Sequence, residues 1–223
     1  MNPTFLLGVL ECDTPVPAVQ EARGSYGEVF RQLLAQGLND LGEKGRNTQL
    51  CLSKWDVVGS QEYPKTDEVD GILLTGRSSS FPRPFTVIAE TLLRGLIHDG
   101  HEANIGHCAH LVQRWTRPPR GWEISVDKIN VSKEGRDLLG ISSLELHQMH
   151  RDAILEVPRG LVNLGSSPSC AIQGLYQPGR VLSFQAHPEF DGFIMADLLK
   201  SRHEQKIFDD QIQRWHRESP WPS

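Results

Sequence analysis

Two short apolar runs constrain this chain most, Phe5-Leu6-Leu7-Gly8-Val9-Leu10 near its start and Gly71-Ile72-Leu73-Leu74-Thr75 further on. Continuous apolar residues over so few positions are the pattern of a strand covered on both faces, which is how parallel strands occur. Between them Thr14-Pro15-Val16-Pro17 breaks the chain, and Val29, Phe30, Leu33, Leu34 and Leu38 then recur at helical spacing, with Gly37 and Gly42 punctuating the end. Residues 49–58 return to strand-like composition. This β-α-β-β order predicts an α/β fold, a doubly wound and mostly parallel sheet with helices on both faces. Phe85, Ile88, Ala89, Leu92, Leu96 and Ile97 mark a further amphipathic helix ending at Asp99-Gly100, and residues 192–199 mark another near the C-terminus. Residues 122–127, 144–150, 162–166, 170–176 and 181–185 read as strands, with Gln177-Pro178-Gly179-Arg180 as a hairpin turn.

Two stretches carry candidate chemistry: Asn104-Ile105-Gly106-His107-Cys108-Ala109-His110, and Gln185-Ala186-His187-Pro188-Glu189-Phe190. A cysteine after a glycine, where a strand would end and a helix begin, sits where a sharp turn lifts the sulfur out of the sheet. His187 and Glu189, two positions apart on an extended segment, point to the same side, so one can take a thiol proton while the other orients the imidazole. The competing reading of Cys108 is a buried small hydrophobe, the usual fate of a free cysteine.

Gly106-His107-Cys108 together with His187-Pro188-Glu189 resembles the class I glutamine amidotransferases, whose patterns are Gly-x-Cys-x-Gly and a C-terminal His-Pro-Glu. The resemblance runs from Phe5 to about Asp210 and takes in residues 70–76, Gly121-Trp122-Glu123 and residues 146–152. The wording of these pieces is similar to small, free-standing fungal members. The resemblance implies a flavodoxin-like amidotransferase architecture with a small antiparallel β region beside the main sheet. It also implies a Cys108, His187, Glu189 triad, oxyanion donors from the backbones near Gly76 or Arg77 and of Ala109, and a cleft-facing segment holding His150 and Asp152. The activity implied is cleavage of the γ-carboxamide of glutamine or of a γ-glutamyl compound through a thioester, supplying nitrogen to, or trimming an intermediate of, a specialised-metabolite pathway.

The chain departs from the family pattern around the nucleophile. Residues 101–105, His-Glu-Ala-Asn-Ile, are polar where the strand before the cysteine is ordinarily apolar. After Cys108 the family's glycine is either replaced by His110 or deleted, and in the second alignment Leu111 stands in the place of a substrate-contacting glutamine. Arg117-Pro118-Pro119-Arg120 leaves room for only about two helical turns before Gly121. Two alternatives therefore stand beside the amidotransferase reading: a catalytically degenerate fold that binds a metabolite or partner, and a γ-glutamyl peptide hydrolase.

Composition narrows the partners. With 223 residues, 38% hydrophobic and 23% charged, one globular domain over residues 1–210 is expected, followed by a tail at 211–223 without periodicity. A net charge of -5 with scattered Lys and Arg gives no basic footprint for nucleic acid. The four cysteines, Cys12, Cys51, Cys108 and Cys170, are widely spaced and read as thiols of a reducing, cytoplasmic compartment. The apolar start is broken by Gly8 and followed by Glu11, and no membrane association is expected. A small-molecule amide is the expected partner, with a separate ammonia-using synthetase as a possible second one, because no Gly-rich phosphate loop accompanies the triad. No cofactor is expected, and no metal: His107, Cys108 and His110 without a second ligand cluster are weak grounds for one.

Overall fold

The computed structural model describes residues 4–65, 67–75, 115–116, 122–151 and 153–208. Cys108, with Gly76, Arg77, Ala109 and Asp152, lies outside the described residues, as do the helix expected from Phe85 to Ile97 and the tail from 211. The chain divides into two compact units, one built from Met1–Glu102 and Phe193–Pro220, the other from Ala103–Gly192 and Trp221–Ser223.

In the first unit three strands run parallel in the order β2-β1-β3: β1 (Thr4–Glu11), β2 (Gln49–Asp56) and β3 (Gly71–Leu74). The first apolar run is thus the central strand of the three; Val9 and Leu10 are fully buried, while Phe5 and Leu6 are 43% and 39% exposed, so the expected cover on both faces is met only in the second half of the run. The 2-1-3 order is the start of the flavodoxin-like winding. Helix α2 (Tyr26–Asp40) buries Val29 and Phe30, two of the residues that set the helical spacing. Its N-terminus is tied to the end of β1, where the Gly27 N–H donates to Glu11 Oε1 at 2.7 Å. A core cluster gathers Leu10, Cys12 and Val57, with Trp55, Tyr63 and Ile72 against it.

The Thr14-Pro15-Val16-Pro17 break holds a second helix, α1 (Pro17–Arg23), with proline in its first turn. Proline there loses no hydrogen bond, because the first N–H groups of a helix have no intrahelical acceptor. A short α3 (Glu43–Arg46) follows α2. At the carboxyl edge of the sheet the Cys12 N–H donates to Thr75 Oγ1 at 2.9 Å and the Thr75 N–H to the Leu10 carbonyl at 3.2 Å. This fixes the exit of β3, after which Gly76 and Arg77 follow in sequence.

The second unit is antiparallel and, among the described residues, carries more strands than the first. Five of them form a sheet in the order β10-β9-β8-β5-β6: β5 (Glu123–Val131), β6 (Ser143–His150), β8 (Val162–Ser166), β9 (Gly174–Gln177) and β10 (Val181–Phe184). Two short strands, β4 (Trp115–Thr116) and β7 (Ala153–Ile154), pair separately. The hairpin turn after β9 forms as expected, with Gly179 at a φ of 67°.

The sequence pattern gave no signal for helix α4 (Lys133–Leu139) between β5 and β6. Ser132 Oγ caps it by accepting from the Gly135 N–H at 3.0 Å, and Gly140 ends it in the left-handed conformation, φ 72°. Gly135 is needed because a Cβ there would collide with the Leu164 carbonyl oxygen of β8. Strand β9 starts later than its composition predicts. Residues 167–170 form a turn instead, the Ser167 N–H donating to the Cys170 carbonyl at 2.9 Å. Helix α5 (Gly192–Glu204), which from Phe193 on belongs to the first unit, buries Ile194, Met195, Leu198 and Leu199 and carries Arg202 and His203 in its last turn. No helix among the described residues is long and apolar enough to cross a membrane.

Candidate active site

The segment after β10 is held by alternate backbone bonds before it reaches the candidate base. The Gln185 N–H donates to the Gln173 carbonyl and the His187 N–H to the His147 carbonyl of β6, both at 2.8 Å. His147 and His187 thereby form an antiparallel bridge, and β6 becomes the platform on which His187 sits. His187 Nδ1 lies 2.9 Å from Glu189 Oε1. The Glu189 side chain is 4% exposed and that of His187 19%. An ionised carboxylate only accepts, so Nδ1 carries the proton and Nε2 is the basic end of the neutral ring. Nε2 has no hydrogen-bond partner among the described residues. The Phe190 ring stacks on the imidazole at 4.0 Å between centroids and 3° between planes, which limits rotation of the ring out of that plane. Two of the three expected catalytic side chains are thus brought together in the arrangement that general-base work requires.

His150, expected to face a cleft, is engaged inside the antiparallel sheet. It stands opposite Glu123 in the β5–β6 register, with its Nε2 3.2 Å from Glu123 Oε2 and 3.1 Å from Gln148 Oε1. Glu123 also accepts from Ser167 Oγ at 2.6 Å and from Gln173 Nε2 at 3.3 and 3.4 Å. Burial alone would raise the Glu123 carboxyl, but the hydrogen bonds from His150 and Ser167 outweigh it and hold the group below its ordinary 4.5. Arg151 lies over the Trp122 ring at 5.4 Å.

A cysteine, a histidine and a glutamate are therefore close together in this unit, but they are Cys170, His150 and Glu123, whose candidate donor atoms all lie within 4.8 Å of one another. Cys170 is buried, and its Sγ donates to the Ile172 carbonyl at 3.2 Å. Burial, with the Glu123 charge adding to it, raises the Cys170 thiol above its ordinary 9.0. A protonated, enclosed thiol is a poor nucleophile. This cluster is not the expected triad, and the sequence reading assigned no role to Glu123 or Cys170. Glu123 lay within a quoted family-like piece, but only the strand register shows it facing His150.

His147, beneath His187, has its pKa pushed below the ordinary 6.5 by burial and by the neighbouring His187, against an opposing pull from Asp191. The folded state therefore binds fewer protons at this site than the unfolded chain, and its share of stability is intact above pH 6.5 and lost as pH falls from there. The urea midpoint of the wild type should drop between about pH 7 and pH 5.5, and His147→Gln should flatten that part of the profile. Glu123 acts in a separate window below 4.5, so an unflattened slope in His147→Gln would refute the assignment.

Comparison with known proteins supplies the family context. No protein-family model matches the chain. A glutamine amidotransferase-like protein of Schizosaccharomyces pombe is 24% identical over 93% of this chain and 88% of its own length. A solved glutamine amidotransferase of Thermotoga maritima superposes with a TM-score of 0.61 at 14% identity, covering 95% of this chain and 88% of that one. The chain is similar to fungal glutamine amidotransferase-like proteins and has the fold of the solved glutamine amidotransferases. It is also similar to gamma-glutamyl peptidase 2 of Arabidopsis thaliana, at 30% identity over 43% of this chain and 40% of the peptidase. Within the amidotransferase fold, the parallel pairing of the first three strands and the placing of Glu189 beside His187 were expected from the sequence, while the 2-1-3 order comes from the structure.

Proposed function

We propose that this amidotransferase-like chain is a cysteine-dependent amide-cleaving enzyme acting on the γ-carboxamide of glutamine or on a γ-glutamyl compound. The observation that carries the reading is the imidazole of His187, fixed by buried Glu189 at Nδ1, with Nε2 left for proton transfer. Cys108 loses its proton to His187 Nε2, and its sulfur bonds to the amide carbon. The carbonyl electron pair moves onto oxygen, where backbone N–H groups near Gly76 or Arg77 and of Ala109 receive it. His187 returns the proton to the leaving nitrogen, the C–N bond breaks, and a thioester remains. Water, deprotonated by His187, then adds to the thioester and releases the acid and the Cys108 thiol. Asp152 forms part of the substrate wall, residues 1–210 act as one domain, and the reaction belongs to a reducing, cytoplasmic setting. Any released ammonia is used by a separate synthetase, in a specialised-metabolite route.

A γ-glutamyl peptide hydrolase is the second reading, favoured by the similarity to a γ-glutamyl peptidase and by Leu111 in place of a substrate-contacting glutamine. Turnover of free glutamine against γ-glutamyl dipeptides separates the two. The test common to both is labelling with a glutamine-mimicking diazo-ketone followed by peptide mapping. One equivalent on Cys108, absent in Cys108→Ala and strongly slowed in His187→Ala, is expected. A folded protein that takes no label would instead favour a degenerate fold with a binding role.

A further inference from the structure

The structure assigns a second chemistry to the antiparallel unit: we propose that Glu123, His150 and Cys170 bind a divalent transition-metal ion of the zinc class. The three side chains come from β5, the end of β6 and the turn before β9, far apart in sequence, and each offers one ligand atom to a common point. Tetrahedral zinc bonds of about 2.0–2.3 Å set ligand atoms roughly 3.3–3.7 Å apart. The His150 Nε2 to Glu123 Oε2 edge, at 3.2 Å, is already near that length. All three donor atoms lie within 4.8 Å, so the remaining contraction is on the order of an ångström, within reach of a side-chain rotation that releases Cys170 Sγ from the Ile172 carbonyl.

The donor chemistry selects the ion. One soft thiolate, one imidazole and one carboxylate suit zinc and disfavour magnesium or calcium, which take oxygen ligands. Thiolate and carboxylate together carry the charge that a divalent ion cancels, so the bound cluster is neutral and its burial is electrostatically tolerable. On binding, the Cys170 thiol proton is released to solvent and the His150 proton moves from Nε2 to Nδ1, freeing Nε2 to bind the metal. Water completes the tetrahedron.

A second observation points to the same place. Gln173 is 1% exposed, and its Nε2 donates to Glu123 and to Ser167 Oγ, yet its Oε1 has no partner. The fully buried Gln148, whose Oε1 meets His150, likewise has an Nε2 without one. A polar network of strand residues with orphaned atoms at its centre is costly unless another polar group joins it. A metal-bound water hydrogen-bonded to Gln173 Oε1 is such a group. In this arrangement His150 is a metal ligand, and the substrate-facing role of its segment falls to Asp152.

The test uses cobalt(II) as the probe, on chelator-treated full-length protein in a Cys108→Ser background, which removes the thiol flanked by His107 and His110. One equivalent should bind with a thiolate-to-cobalt charge-transfer band in the near ultraviolet, displaced by zinc. Cys170→Ser should lose the band, and His150→Gln should weaken binding about 100-fold or more. Should Cys170→Ser fail to fold, the cobalt-induced rise in thermal midpoint serves instead: present in the parent and absent in His150→Gln. No stoichiometric cobalt in the folded parent, or a band unchanged in Cys170→Ser, would overturn the site and leave a purely hydrogen-bonded network.

Discussion

Glu189→Gln should lower turnover of a γ-glutamyl substrate by about 10²–10⁴-fold while leaving the fold intact. The carboxylate accepts from His187 Nδ1 at 2.9 Å and thereby leaves Nε2 unprotonated. A glutamine amide can turn its NH₂ toward Nδ1, which then becomes the acceptor and places the ring proton on Nε2, where it blocks the base. The shape of the site barely changes, so substrate binding should survive and the loss should appear in kcat and not in KM. His187→Ala should cost at least as much, since it removes the proton carrier itself. A Glu189→Gln enzyme with unchanged kcat would show that the His187–Glu189 contact, however well formed, plays no part in catalysis. The two variants also bear on Phe190: if stacking alone held the ring in plane, Glu189→Gln would be mild and Phe190→Ala severe.

Local pattern made one half of this molecule legible. A parallel strand covered on both faces must be apolar at every position, so β1 and β3 announce themselves, and the alternation of such strands with a 3.6-period segment leaves few topologies. The His187-Glu189 pair was readable as residue types, but not by the expected extended spacing: Pro188 and Glu189 form a turn, with the Phe190 N–H on the His187 carbonyl at 3.4 Å, and that turn brings the carboxylate back to Nδ1. Helix α1 was hidden by its prolines, which break a helix interior, although Pro17 opens this one. Helix α4 was hidden because it is short and polar and its existence depends on a cap from Ser132 and close approach at Gly135. The Glu123, His150 and Cys170 cluster was unreadable for a different reason. It is produced by strand register, which pairs Glu123 with His150, and by a turn that brings Cys170 beside them. No local spacing encodes either.

The largest effect expected on stability follows from that same register. Glu123→Ala should destabilise the protein by about 2 kcal/mol, because one buried donor loses its acceptor, at about 1–3 kcal/mol, and two others each lose one of the acceptors they have. The first is Ser167 Oγ; the others are His150 Nε2, which keeps Gln148 Oε1, and Gln173 Nε2, which keeps Ser167 Oγ. Glu123→Gln keeps an oxygen for Ser167 but presents an NH₂ to a neighbour that also donates, and should cost about half as much. Urea unfolding in the presence of chelator checks both values, because it isolates the hydrogen-bonded network from any contribution of a bound ion. A loss seen only without chelator would mean that Glu123 matters through the metal. A loss of the same size under both conditions would mean that the network holds β5, β6 and the 167–170 turn together by itself. In either case the consequence reaches the candidate active site, since β6 is the strand whose His147 carbonyl anchors His187. The thermal midpoint of labelling competence at Cys108 should therefore fall with the unfolding midpoint in Glu123→Ala, even though the hydrogen bonds of Glu123 run to Ser167, Gln173 and His150 and not to the His187–Glu189 pair.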